Sequence, residues 1–176
     1  MSPAFSTKPA VGQAFPEISF NVVNGGSMTI GNPVDSWTML VVYRGRHCPR
    51  CKKYLNILEA LQAEFLDAGI RVIALSADTG ERASDDVNEF GWTFPVGYGL
   101  SEADMRRLGV YITEPLSPDE APARFSEPGI FCLRPDAEMQ IVSISNGPAA
   151  RPDLKELLDG LKFNITNDRP TRGTVV

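Results

Sequence analysis

Two of the three cysteines, Cys48 and Cys51, stand with two residues between them in "RGRHCPRCKKY" (44–54). If a helix begins there, the second thiol lies about one turn beyond the first, and the pair can close a small disulfide ring. Arg44, Arg46, Arg50, Lys52 and Lys53 crowd the same stretch. Cations, together with the unpaired N–H groups and partial positive charge of a helix N-terminus, bring a thiol below its free pKa of about 8.5. Cys48, nearest the helix start, is therefore expected to be the more acidic and the more accessible sulfur. Pro49 suits the first helical turn, where its missing N–H had no partner. The chemistry on offer is the making and breaking of a disulfide.

Competing readings of these residues are weaker. An inert buried pair has no need of a basic junction. Half a zinc site is present, but His47 merely adjoins Cys48 along the chain and Cys132 lies between Phe131 and Leu133, so no metal is expected. Cys132, alternating with apolar neighbours, reads as a small core residue. His47, the only histidine, titrates near pH 6.5 when unperturbed, yet adjacent side chains need not converge, which favours a modulating or surface role. Trp92 and Phe94 read as packing, and "SDD" at 84–86 as a solvated helix face. No G-x-G-x-x-G follows a strand and no Walker loop is present, so no cofactor is expected.

Positioning the pair requires a strand before it and a helix after it. "WTMLVVYR" (37–44) is an almost unbroken apolar run, as for a strand buried on both faces. From Pro49 to Asp67, Leu58, Leu61 and Phe65 fall on one helical stripe, and Gly69 is placed to end it. Upstream, residues 1–16 form an extended lead-in, and 17–30 read as a hairpin turning at "NGG". Downstream come a strand at 70–77, a helix at 78–90 opened by a capping-box-like Asp78 and Glu81, a short strand at 94–99 and a brief helix begun by Ser101. A proline-rich loop fills 113–128. Strands at 129–134 and 139–145 flank "PDAE", a helix follows from Pro152, and 164–176 reads as a polar tail. That order implies an α/β chain with a mixed β-sheet and helices on both faces.

The 176 residues fit a single domain, with 43% hydrophobic and 22% charged residues. A net charge of −5, with no block of Lys and Arg, disfavours nucleic acid as a partner. The first twenty residues lack the basic start and apolar core of a secretory signal. No apolar run approaches the roughly 18 residues that cross a bilayer. Three cysteines make no disulfide framework, so a cytoplasmic location is expected.

A strand, then C-P-R-C, then a long helix, and later "SEPGIF" before a two-stranded hairpin, resembles the thioredoxin superfamily. The hairpin extension and "VVYRGRHCPRCKKY" resemble more closely the peroxiredoxin-like branch of the alkyl hydroperoxide reductase/thiol-specific antioxidant family, over about residues 11–163. The resemblance implies a thioredoxin-like fold with an N-terminal β-hairpin extension, a nucleophilic Cys48 and a resolving Cys51. It also implies a cis Pro128 facing the thiols. Peroxiredoxins typically carry a hydroxyl residue three positions before the reactive cysteine and a proline seven before it, where this chain has Gly45 and Val41. Their arginine ahead of the later strand is replaced by Pro128 or a neighbour, which leaves Arg46 as the expected catalytic cation. Gly45, Pro49 and Glu127 are the expected substrate-lining positions. The activity so implied is peroxide reduction through a Cys48/Cys51 cycle, with a thioredoxin-like or low-molecular-weight dithiol as reductant and room for a homodimer. A thiol–disulfide reductase or oxidase acting on a small disulfide, and a non-catalytic redox-sensing module, remain open.

Overall fold

The computed structural model describes residues 9–175. Thirteen elements succeed one another: β1 (Ile18–Val22), β2 (Gly26–Ile30), β3 (Trp37–Val42), α1 (Pro49–Asp67), β4 (Ile70–Leu75), α2 (Gly80–Phe90), β5 (Val96–Tyr98), α3 (Glu102–Leu108), β6 (Ile112–Thr113), β7 (Phe125–Ser126), β8 (Gly129–Leu133), β9 (Met139–Ile144) and α4 (Leu154–Thr166). Seven strands form one mixed sheet in the order β2-β1-β5-β4-β3-β8-β9. β3 lies at its interior, parallel to β4 and antiparallel to β8. Its six residues are all buried, which is why the run at 37–42 is apolar without alternation. The chain is α/β with a thioredoxin-like mixed sheet.

One face of the sheet packs against α1, α2 and α4, through Leu55, Leu58, Phe65, Ala83, Leu154, Leu158 and Leu161. The other face holds α3, through Met105 and Leu108, with Phe15, Leu40 and Phe131. In α1 the buried residues Cys51, Leu55, Leu58 and Phe65 recur at helical spacing. Burying Leu55, Leu58 and Phe65 alone stabilises the α1–sheet contact by about 5–9 kcal/mol. Gly69, at φ +80°, takes the chain out of the helix and into β4. Among the described residues no helix is long and apolar enough to cross a membrane.

Several boundaries differ from the sequence expectations. Residues 1–8 of the expected lead-in lie outside the described residues, while Gly12 and Phe15 donate backbone hydrogen bonds to the carbonyls of Met139 and Ala137, tying the lead-in to the β8–β9 hairpin. The cap of α2 is Thr79, not Asp78, because Asp78 is drawn inward by cations. α4 runs to Thr166, three residues into the expected tail, since Ile165 still packs on the core. Within the expected loop at 113–128, β7 pairs antiparallel with β6, making a second, two-stranded sheet.

Candidate active site

Cys48 occupies the N-cap of α1, with extended backbone (φ −102°, ψ 101°), directly beyond the β3 strand and its turn. Its Sγ accepts the Cys51 backbone N–H at 3.2 Å, the contact that a Ser or Asp oxygen makes at an ordinary cap. Pro49 follows at N1, exposed and pre-set for the first turn. The sulfur therefore stands at the unpaired, positive end of a 19-residue helix, and Cys51 lies one turn on. All three cysteines are free thiols.

The two thiols differ sharply in acidity. Cys48 is lowered to about 6, first by a hydrogen bond from the Cys51 thiol, then by the Cys51 N–H and by the Arg44 guanidinium, against an opposing push from burial. Cys51 is pushed far up, because its thiol proton is held in a hydrogen bond to Cys48 and because it is buried. Cys132, enclosed in mid-strand of β8, is raised to about 12 by burial and reads as core. The expected order of acidity is thus present, but its leading cause is the pair itself rather than the crowd of cations. The expected difference in accessibility is absent. Cys48 is 1% exposed and Cys51 0%, because both belong to the hydrophobic cluster with Tyr43 and Leu55.

Arg44, two residues past β3, is the cation whose charge lowers Cys48. Its Nε donates to Glu127 Oε1 at 3.2 Å and lies 3.1 Å from Oε2. Its Cζ sits 4.9 Å from the centre of the Phe125 ring, on which the His47 ring also packs at 4.5 Å. Glu127, 4% exposed, is held in turn by the Thr113 hydroxyl, which donates to Oε1 at 2.7 Å. His47 is half-buried, with neither ring nitrogen hydrogen-bonded, and its pKa is lowered by burial and by the charge of Arg44. A role as proton acceptor for Cys48 has no hydrogen bond behind it.

Arg46 goes elsewhere. Its Nη1 reaches Asp86 Oδ1 at 2.5 Å and Glu89 Oε2 at 3.1 Å, both on α2. Asp86 is fully buried, not part of a solvated face, and its pKa is raised by that burial against the pull of Arg46 and Lys52. The backbone N–H of Arg46 donates to Asp78 Oδ2 at 2.7 Å, and Arg82 Nε donates to Asp78 Oδ1 at 2.9 Å. Gly45 makes this possible. It sits at φ +130°, where a side chain is strained, and a Cβ there would fall 2.7 Å from Asp78 Oδ2. The position where relatives are expected to carry a hydroxyl is filled by a carboxylate from the end of β4.

The expected cis bond at Pro128 is not found: the Glu127–Pro128 peptide is trans. The Glu127 N–H bonds to the Tyr111 carbonyl and the Pro128 carbonyl accepts from Ser145, so ladders on both sides draw the chain from β7 to β8 as one extended run. Sequence reasoning named Arg44 only as one cation among several, and missed Asp78, Thr113 and Phe125 as neighbours of the site. Asp78 carried a usable signal, since it follows the C-terminal end of a buried parallel strand, where α/β sites gather. Thr113 and Phe125 lie in a long structureless-looking segment, whose length alone hints at a functional loop. Among the described residues, no three His, Cys, Asp or Glu side chains gather to hold a metal ion.

Comparison with known proteins bears on the family and the fold. A family model described as AhpC/TSA matches residues 11–142. A curated relative, the "Probable 1-Cys peroxiredoxin" of Syntrichia ruralis, is 24% identical over 162 residues, covering 88% of this chain and 74% of its own. Among solved structures, a peroxiredoxin-like protein from Aquifex aeolicus superposes with a TM-score of 0.75 at 17% identity, covering 89% of this chain and 88% of that one. A cysteine-to-serine mutant of PrxQ from Xylella fastidiosa gives 0.72 at 16% identity, over 90% and 99% of the two chains. These structural likenesses carry the fold.

Proposed function

Since the chain belongs to the AhpC/TSA family, we propose that it is a thiol-dependent peroxidase of the peroxiredoxin-like kind, working through the Cys48/Cys51 pair. The Cys48 thiolate attacks the terminal, hydroxyl oxygen of a peroxide. An S–O bond forms, the O–O bond breaks, and the departing oxyanion takes a proton from water. The sulfur, oxidised by two electrons, is left as a sulfenic acid. The Cys51 sulfur then displaces that oxygen as water and closes the disulfide. A thioredoxin-like or low-molecular-weight dithiol restores both thiols by exchange.

Each neighbour has a part in this reading. Cys51 keeps its proton and donates a hydrogen bond to the Cys48 thiolate while it waits as resolver. Arg44 stabilises the charge that moves from sulfur to the leaving oxygen. Arg46, spent on Asp86 and Glu89, braces the start of α1 against α2 rather than touching the peroxide. Gly45 and Pro49 shape the approach through backbone, and Pro128 launches β8 beside it.

One observation carries the choice of substrate. Cys48 combines a lowered pKa with 1% exposure. An enclosed thiolate admits a two-oxygen molecule far more readily than the disulfide of a protein, which must bring both sulfurs into line with the attacking one. Stopped-flow mixing of reduced protein with hydrogen peroxide, a bulky alkyl hydroperoxide and a model disulfide tests this, and hydrogen peroxide is expected to react fastest. Cys48→Ser should abolish consumption, while Cys51→Ser should allow one oxidation and trap Cys48 as sulfenic acid. Undiminished peroxide consumption by Cys48→Ser would end the peroxidase reading. Disulfide exchange without peroxide consumption would replace it with the reductase reading, and reaction with none of the three would favour a redox-sensing module.

A further inference from the structure

We propose that Glu127 is a positioning residue that aims Arg44 at Cys48, and that the β6–β7 sheet exists at this place to hold Glu127. The inference rests on the peroxidase reading for its rate effect but not for its geometry. Arg44 gives its Nε to Glu127, which leaves the four terminal N–H groups of the guanidinium for the sulfur and an incoming oxygen. Its other carboxylate neighbour, Glu120, stands 3.9 Å from Nη2, beyond hydrogen-bond range. Glu127 cannot drift with its arginine. Thr113 on β6 fixes Oε1, the Glu127 N–H is bonded to the Tyr111 carbonyl, and the side chain is 5% exposed. Phe125 on β7 supports the guanidinium from its face. Ile112↔Ser126 and Thr113↔Phe125 are the rungs that bring these groups together from either end of the intervening loop.

A buried carboxylate beside a thiolate is otherwise unfavourable, because its charge opposes ionisation of the thiol. That gives the test its sign. Glu127→Gln keeps an acceptor for Arg44 and Thr113 but loses the charge, whereas Glu127→Leu loses both. Two readouts apply to reduced protein: ultraviolet titration of the Cys48 thiolate, which needs no peroxide, and the peroxide oxidation rate. His47, Cys51 and Glu120 also face this region and are left unchanged. Positioning predicts that Gln titrates at or below the parental midpoint and stays within about threefold in rate. Leu should titrate higher and react about tenfold more slowly or worse. A role through charge alone predicts that both variants titrate lower and react alike, and that result overturns the proposal. Thr113→Val provides a gentler second probe should Leu fail to fold. It should raise the midpoint and slow the reaction about threefold, and an unchanged Thr113→Val would also refute the clasp. If the parent does not consume peroxide, a Gln–Leu or Thr113→Val shift in titration still supports the positioning role while the peroxidase reading falls.

Discussion

Restoring a threonine at position 45, the residue type relatives are expected to carry, should damage this protein. The structure supplies the magnitude. Gly45 sits at φ +130°, and placing a β-branched residue there costs on the order of 1–3 kcal/mol in backbone strain. Its Cβ would stand 2.7 Å from Asp78 Oδ2, so the Asp78 carboxylate must move. That carboxylate accepts from the Arg46 backbone N–H and from Arg82 Nε, and losing one such charged hydrogen bond costs about 1.5–3 kcal/mol. Together, Gly45→Thr should lose about 3–6 kcal/mol, a large share of the 5–15 kcal/mol typical of a domain. For a chain of this size that lowers the melting midpoint by roughly 10–20 °C. Thermal melting of the reduced variant, followed by circular dichroism, reads this directly. Gly45→Ala, which adds Cβ alone, should show most of the same loss. A Gly45→Thr variant melting within about 2 °C of the parent, or reacting faster with peroxide, would show that Asp78 does not own this space.

Three further outcomes follow from the thiols. The peroxide rate should rise with pH through a midpoint near 6 and level off above about 7, since a lowered pKa in the folded state leaves Cys48 ionised at neutrality. The same lowered value means that the thiolate stabilises the reduced fold fully above the unfolded pKa of about 8.5 and loses that contribution as pH falls through about 6, so denaturation of the parent should lose more stability than Cys48→Ser between pH 9 and pH 5. Cys132→Ser should leave peroxide turnover within about twofold and lower stability by about 1–3 kcal/mol, the cost of a buried hydroxyl without a partner. Loss of turnover in a folded Cys132→Ser would remove it from the core and place it in the chemistry.

The sequence by itself determined the frame and the placing of the two thiols. The unbroken apolar run at 37–42, the stripe through α1 and the turn at Asn24 depend on neighbours a few residues away, and so does the placement of Cys48 at a helix cap with Cys51 one turn on. Periodicity and capping are local properties, and they can be read along one dimension. Only tertiary structure decided which cation serves the sulfur. Arg44 and Arg46 are two residues apart and alike in sequence, yet one meets Glu127 from β7's far end and the other meets Asp86 and Glu89 on α2. The same holds for Asp78, whose carboxylate excludes a side chain at Gly45 across a separation of 33 residues in the chain. Charge pairing acts through space over a few ångströms, so its partners are chosen by how β3, β4, α2 and the small β6–β7 sheet are packed together, and no local pattern records that choice.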